Sequence, residues 1–145
     1  MNPSEAKELL QLHSYQHPDL DHPKMRSGFL GCLRPYRGAL VEENFHEVMR
    51  ALRGVAALLE QPQVDQEIIN ALWGICHLAR AWGVAPSGML RRNSLISSDD
   101  VVQLEAWIDC ISEATMFLLD HAGSDEAFHD YRSRWASAER GRGFD

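Results

Sequence analysis

The stretch from Val64 to Trp82 is apolar almost all the way round a helical wheel. Val64, Ile68, Leu72, Ile75, Ala79 and Trp82 recur at spacings of three and four, and Ile69, Trp73 and Cys76 widen that face. A helix so broadly apolar has to be covered on several sides, so it is expected at the centre of a packing of other helices. Two long neighbours carry the matching stripes. One runs over Glu42–Glu60, with Phe45, Val48, Met49, Leu52, Val55 and Leu59 on one side. The other starts where Ser97 or Ser98 caps Asp99 and Asp100, and it carries Leu104, Trp107, Ile108, Ile111 and Leu118 as far as Gly123. No segment keeps the period-two alternation of a half-buried strand. The fold class that follows is all-α, a compact single-domain bundle of five to six helices.

Shorter elements complete it. Ser4 is placed to cap a helix ending near His13, and a linker with Pro18 and Pro23 follows. Met25, Phe29, Leu30 and Leu33 predict a helix over Lys24–Arg34, which Pro35 stops. In that helix Gly28 and Gly31 call for close packing against a neighbour. Gly83 is expected to end the central helix as its C′ residue, and a short helix is expected from Pro86 to Arg92. A last helix over Ser124–Ala138 buries Ala127, Phe128, Tyr131 and Trp135. The single domain is therefore set at 1–138, with 139–145 as a flexible C-terminal tail.

Composition narrows the function. The chain has 145 residues and a formal net charge of -7, a balance opposed to general nucleic-acid binding and suited to a cationic partner. Its opening residues, MNPSEAKELL, lack the basic and apolar regions of a secretory signal, and no apolar run is long enough to span a bilayer. Cys32, Cys76 and Cys110 are widely spaced in apolar surroundings and read as buried reduced thiols. A cytoplasmic protein is expected, with no membrane and no nucleic-acid partner.

Two stretches, EENFHE at Glu42–Glu47 and DEAFHD at Asp125–Asp130, share Glu-x-x-His, the spacing of a helical carboxylate metal site. At about 100° per residue, His46 falls well away from the apolar face centred on Leu52, and His129 and Glu126 fall opposite Tyr131. Both pairs are expected to face outward while Phe45 and Phe128 anchor the core, so no metal or other cofactor is assigned. His13, His17 and His22, with Asp19 and Asp21, read as a solvated connection whose spacing matches no ligand pattern. The loops RPYRG and RRNS add Arg34, Arg37, Arg91 and Arg92, and RRNS resembles a basophilic kinase site.

Two features remain as candidate sites. Trp73, His77 and Arg80 form a strip along the border of the central helix, of the residue types that make a recognition surface or line a pocket. On the long helix Glu105, Asp109 and Glu113 follow at i, i+4 and i+8 with Asp120 on the same side, and no Lys or Arg lies between Arg92 and Arg132. Like charges so spaced repel, so the stripe is read as a contact face for a basic protein. The chain has no phosphate loop, no paired Cys-x-x-Cys, no His-Glu-x-x-His and no nucleophile elbow, and no catalytic residue is assigned. The expected function is a non-catalytic binding module, an inhibitor or immunity-type protein that holds a basic enzyme or toxin through its acidic helix face. The alternatives are a small-molecule-binding protein or enzyme with an interhelical pocket at Trp73, His77 and Arg80, and a metal-binding helical protein using His46, His129 or the histidine-bearing linker of His13, His17 and His22.

Overall fold

The structure, a computed structural model, describes residues 1–140. The flexible tail expected at 139–145 falls, from residue 141 on, outside them. The regular structure is helical: α1 (Pro3–His13), α2 (Lys24–Ser27), α3 (Glu42–Gly54), α4 (Ala56–Leu59), α5 (Gln66–Ala79), α6 (Met89–Arg92), α7 (Ser98–Leu119), α8 (Ser124–Ala127) and α9 (His129–Arg140). One continuous apolar core runs through them. α5 packs between α1 and α7, as its apolar breadth requires, but one side of it stays bare.

Helix starts follow their capping chemistry. Asn2, not Ser4, caps α1: its side chain accepts from the Glu5 N–H, and the Glu5 carboxylate accepts from the Asn2 N–H in return. Asp65 caps α5 and also takes an ion pair from Lys7 at 2.8 Å, which ties α1 to the start of α5. Ser97 is the cap of α7 and accepts from the Asp100 N–H.

Several expected helices are shorter than their periodicity suggests. The one over Lys24–Arg34 stops at Ser27 because the backbone beyond it bonds to α1 instead. Phe29 N–H donates to the His13 Nδ1 at 2.8 Å and Leu30 N–H to the His13 carbonyl at 3.1 Å. Gly28 permits this approach, since a Cβ there would sit 3.1 Å from His13 Nδ1 and 2.6 Å from the Lys24 carbonyl. The helix over Glu42–Glu60 bends at Val55, whose N–H is shared between the Ala51 and Leu52 carbonyls, and the bend turns α4 toward α7. The last helix breaks at Phe128, which brings both Phe128 and Tyr131 fully inside.

The central helix does not end at a glycine cap. It widens into a π-turn over Arg80–Val84, and Gly83 lies buried inside that turn. A Cβ on Gly83 would stand 2.5 Å from Leu104 Cδ2, and Leu104 is itself only 1% exposed. Gly83→Ala is therefore expected to lower stability by about 1–3 kcal/mol by forcing Leu104 out of place. Urea denaturation checks this through a lower midpoint at unchanged slope; an unchanged midpoint would show that Leu104 gives way freely.

The centre of the core is aromatic. Phe45 on α3 stacks on Trp107 of α7 (centroids 5.3 Å apart, planes 7° apart) and meets the rings of Tyr131 and Trp135 of α9 edge-on at 5.5 and 4.8 Å. This docking of α9 corrects the expectation for His46. The imidazole is fully buried, with Nδ1 2.6 Å from the Tyr131 hydroxyl and Nε2 facing Glu42 at 3.6 Å. A wheel centred on Leu52 cannot register a helix that arrives from the far end of the chain.

Candidate functional site

The bare side of α5 faces α7 across an open groove of about 840 Å³. Its α5 wall is Ile69, Trp73 and Cys76, and its α7 wall is Met116 and Leu119. Trp73 is 71% exposed, and Met116 and Leu119 are exposed beside it. A tryptophan normally buries most of its large surface, so a bare one next to other bare apolar side chains is an unusual use of residues. His77, one turn on, stacks parallel to the indole with centroids 6.5 Å apart. Trp73 also borders a second, smaller hollow with Gln66, Glu67 and Asn70, so it forms a crest between two concave surfaces.

The structure brings all three members of the recognition strip, Trp73, His77 and Arg80, onto this one groove, and Asp120 of the acidic stripe joins them. The stripe itself is less bare than the spacing along α7 implies. Arg80 reaches across from α5, with Nη2 2.8 Å from Asp109 and Nη1 3.7 Å from Glu105. The counter-charge absent from α7's own sequence is supplied by its neighbour. These pairs are exposed, and each stabilises the fold by at most about 1 kcal/mol. Glu113 and Asp120 are exposed and have no ion pair among the described residues. The negative charge is thus partly balanced at the Arg80 end of the groove and unbalanced at the Asp120 end.

Other candidates lie elsewhere. The Arg34 guanidinium covers the Trp82 ring at 5.4 Å, and Arg91 donates to the Val84 carbonyl; neither they nor Arg37 and Arg92 border the groove. The two Glu-x-x-His pairs stay apart in character: Glu43 pairs with Arg50 at 2.7 Å and His46 is buried, while Glu126 and His129 are exposed. Among the described residues no group of three His, Cys, Asp or Glu side chains stands together as a metal site. All three cysteines are free. Burial pushes the Cys76 and Cys110 thiols up to about 12 and raises Cys32 as well, which leaves them poor nucleophiles. Thr115, inside the groove, spends its hydroxyl on the Ile111 carbonyl of its own helix. What the groove offers is apolar surface with a few oriented polar groups.

One polar centre escaped the sequence. His13, expected in the solvated connection, is fully buried at the end of α1. Its Nδ1 accepts from Phe29 N–H, so Nε2 carries the proton and donates to Glu47 at 2.8 Å. Lys24 donates to the same carboxylate at 2.6 Å. The network joins α1, α2 and α3. The His13 N–H first, and Lys24 with it, hold the Glu47 carboxyl down at about 2, while burial lowers the His13 imidazole below its ordinary value. The spacing did carry a signal: Ala6, Leu10 and His13 continue one buried stripe at i, i+4 and i+7. His17 and His22 remain in the connection, where each Nδ1 accepts a main-chain N–H, from Asp19 and Lys24.

No described helix is long and apolar enough to cross a membrane. Compared with protein-family models, with curated proteins and with solved structures, the chain matches none.

Proposed function

We propose that the chain is a non-catalytic protein-binding module, of the inhibitor or immunity type, that holds a basic partner protein on its α5–α7 face. The observation that carries this is the 71% exposure of Trp73 at the crest of an apolar groove. Tryptophan dominates the energetics of protein contacts when a partner desolvates it, and acidic side chains around it select a cationic surface. α7 carries five acids and no Lys or Arg, which supports a basic rather than an acidic partner. Three free cysteines suit a reducing compartment, so the cytoplasm is the proposed site of action.

The test is capture of partners from the native host at low and high salt by three proteins: wild type, Trp73→Ala, and the reversal Glu105→Lys, Asp109→Lys, Glu113→Lys and Asp120→Lys. Trp73→Ala is expected to weaken binding by about ten- to a hundredfold while changing stability by no more than about 0.5 kcal/mol, since the ring is mostly in water already. The reversal is expected to abolish the salt-sensitive part of binding. A partner held equally by all three proteins at both salt concentrations would overturn the reading. The groove volume of about 840 Å³ also lies in the usual range of about 300–1,000 Å³ for small-molecule sites. That second reading gains if no protein is captured and small molecules shift the thermal midpoint of wild type but not of Trp73→Ala.

A further inference from the structure

We infer that the partner segment held here is a basic amphipathic α-helix of about three turns, lying along the groove as a third helix against α5 and α7; this rests on the binding reading above. The walls of the groove are antiparallel. Arg80, just after α5, meets Glu105 and Asp109 of α7 at one end, Cys76 lies against the Ile108 carbonyl at 4.0 Å, and Ile69 borders the groove with Leu119 and Asp120 at the other. Between two such helices the side chains repeat once per turn, about every 5.4 Å, which is the repeat a third helix presents with its own ridges. From Ile69 to Arg80 the α5 wall rises about 16 Å, the length of about three helical turns.

The chemistry of the groove selects a helix over an extended segment. Among the described residues there is no strand whose edge an extended peptide could extend. The apolar walls offer an extended backbone no partners for its N–H and C=O groups, which would depend on water along the open side, whereas a helix arrives with them paired internally. Charge then fixes the occupant's polar flank. Arg80 already offsets part of the charge of Glu105 and Asp109, so that end calls for a cation less than the other. Asp120 lies at the other end, where the last carbonyls of α7 add to the negative field. The occupant's apolar ridge enters between Trp73 and Met116, and its Lys or Arg side chains lie toward Asp120. A second copy of this chain is a poor occupant, because each copy carries a net charge of -7 and the acids of α7 would meet their own kind.

A photo-activatable amino acid at Met116, with Leu20 in the α1–α2 connection as the remote control, tests this in cells of the native host. Cross-linked segments are mapped by mass spectrometry, synthesised, and titrated against the whole protein. The expected result is an adduct at Met116 and none at Leu20, from a segment with apolar residues at i, i+3 or i+4, and i+7 and Lys or Arg on one flank. That peptide gains helical circular dichroism on binding, and Trp73→Ala and Asp120→Lys each weaken it at least tenfold. A segment that binds at Met116 but stays non-helical, or is acidic, overturns the helix inference and leaves the binding reading standing. Absence of any protein adduct at Met116 overturns both.

Discussion

Phe45→Ala is expected to lower the unfolding free energy by about 4 kcal/mol. The ring is fully buried and is the hub on which Trp107, Tyr131 and Trp135 converge. Its removal takes away the transfer free energy of a whole aromatic side chain. It also opens a cavity that three rigid rings from two other helices cannot close by small rotations, and it forfeits the stacking with Trp107. Phe45→Leu fills part of the space and is expected to cost about half as much. Denaturation followed by near-ultraviolet circular dichroism measures both, because the signal reports the tryptophans packed on this ring. A Phe45→Ala cost below about 1 kcal/mol would mean that α9 does not close over α3 as described.

The second large effect is acid sensitivity, set by His13 and Glu47. The folded-state pKa of each lies below its ordinary value, 6.5 for the imidazole and 4.5 for the carboxyl, which is held at about 2. As pH falls the unfolded chain therefore takes up each proton first, and stability drops wherever the unfolded state binds more protons. Both contributions are fully present above about pH 6.5. The His13 contribution is lost as pH falls below 6.5, and the Glu47 contribution between 4.5 and about 2. Geometry gives the reason for the first step. Protonated His13 would carry a hydrogen on Nδ1, where Phe29 N–H now donates, and the charge would sit in a dry site near Lys24 and Arg50. Urea midpoints measured from pH 8 to pH 4 should fall below pH 6.5 in wild type. His13→Gln, which cannot titrate, should be less stable at pH 8 and show a flatter profile down to pH 5. Parallel profiles for the two proteins would sink this assignment. His13→Ala at pH 8 is expected to cost about 3 kcal/mol, through the lost ring and the buried Phe29 N–H left without its acceptor.

How much of this was legible in the sequence depended on whether one helix or two were involved. The i, i+4, i+7 placement of Trp73, His77 and Arg80 is a property of one helix, and their grouping could be read from spacing alone. The opposite wall, Met116 and Leu119, required the antiparallel placement of α7 beside α5, which no periodicity within α7 announces. For the same reason the acidic stripe seemed unrelieved, since its counter-ion, Arg80, lies on another helix 29 residues from Asp109. His46 misled because the wheel measures distance from one apolar face and α9 supplies a second. The Lys24–Arg34 stretch has true helical periodicity, but Phe29 and Leu30 find their backbone partner in His13, and that competition outweighs local propensity.

The docking of α9 also sets a timetable. The hydrogen bond between Tyr131 and His46 links residues 85 positions apart. At synthesis rates of about 5–20 residues per second, α3 leaves the ribosome on the order of 4–17 s before the segment that covers it. During that interval the nascent chain presents Phe45 and the surface around His46 to solvent without their native lid. The helix that completes the core arrives late, and until it does, that face is available to any chaperone that recognises aromatic side chains.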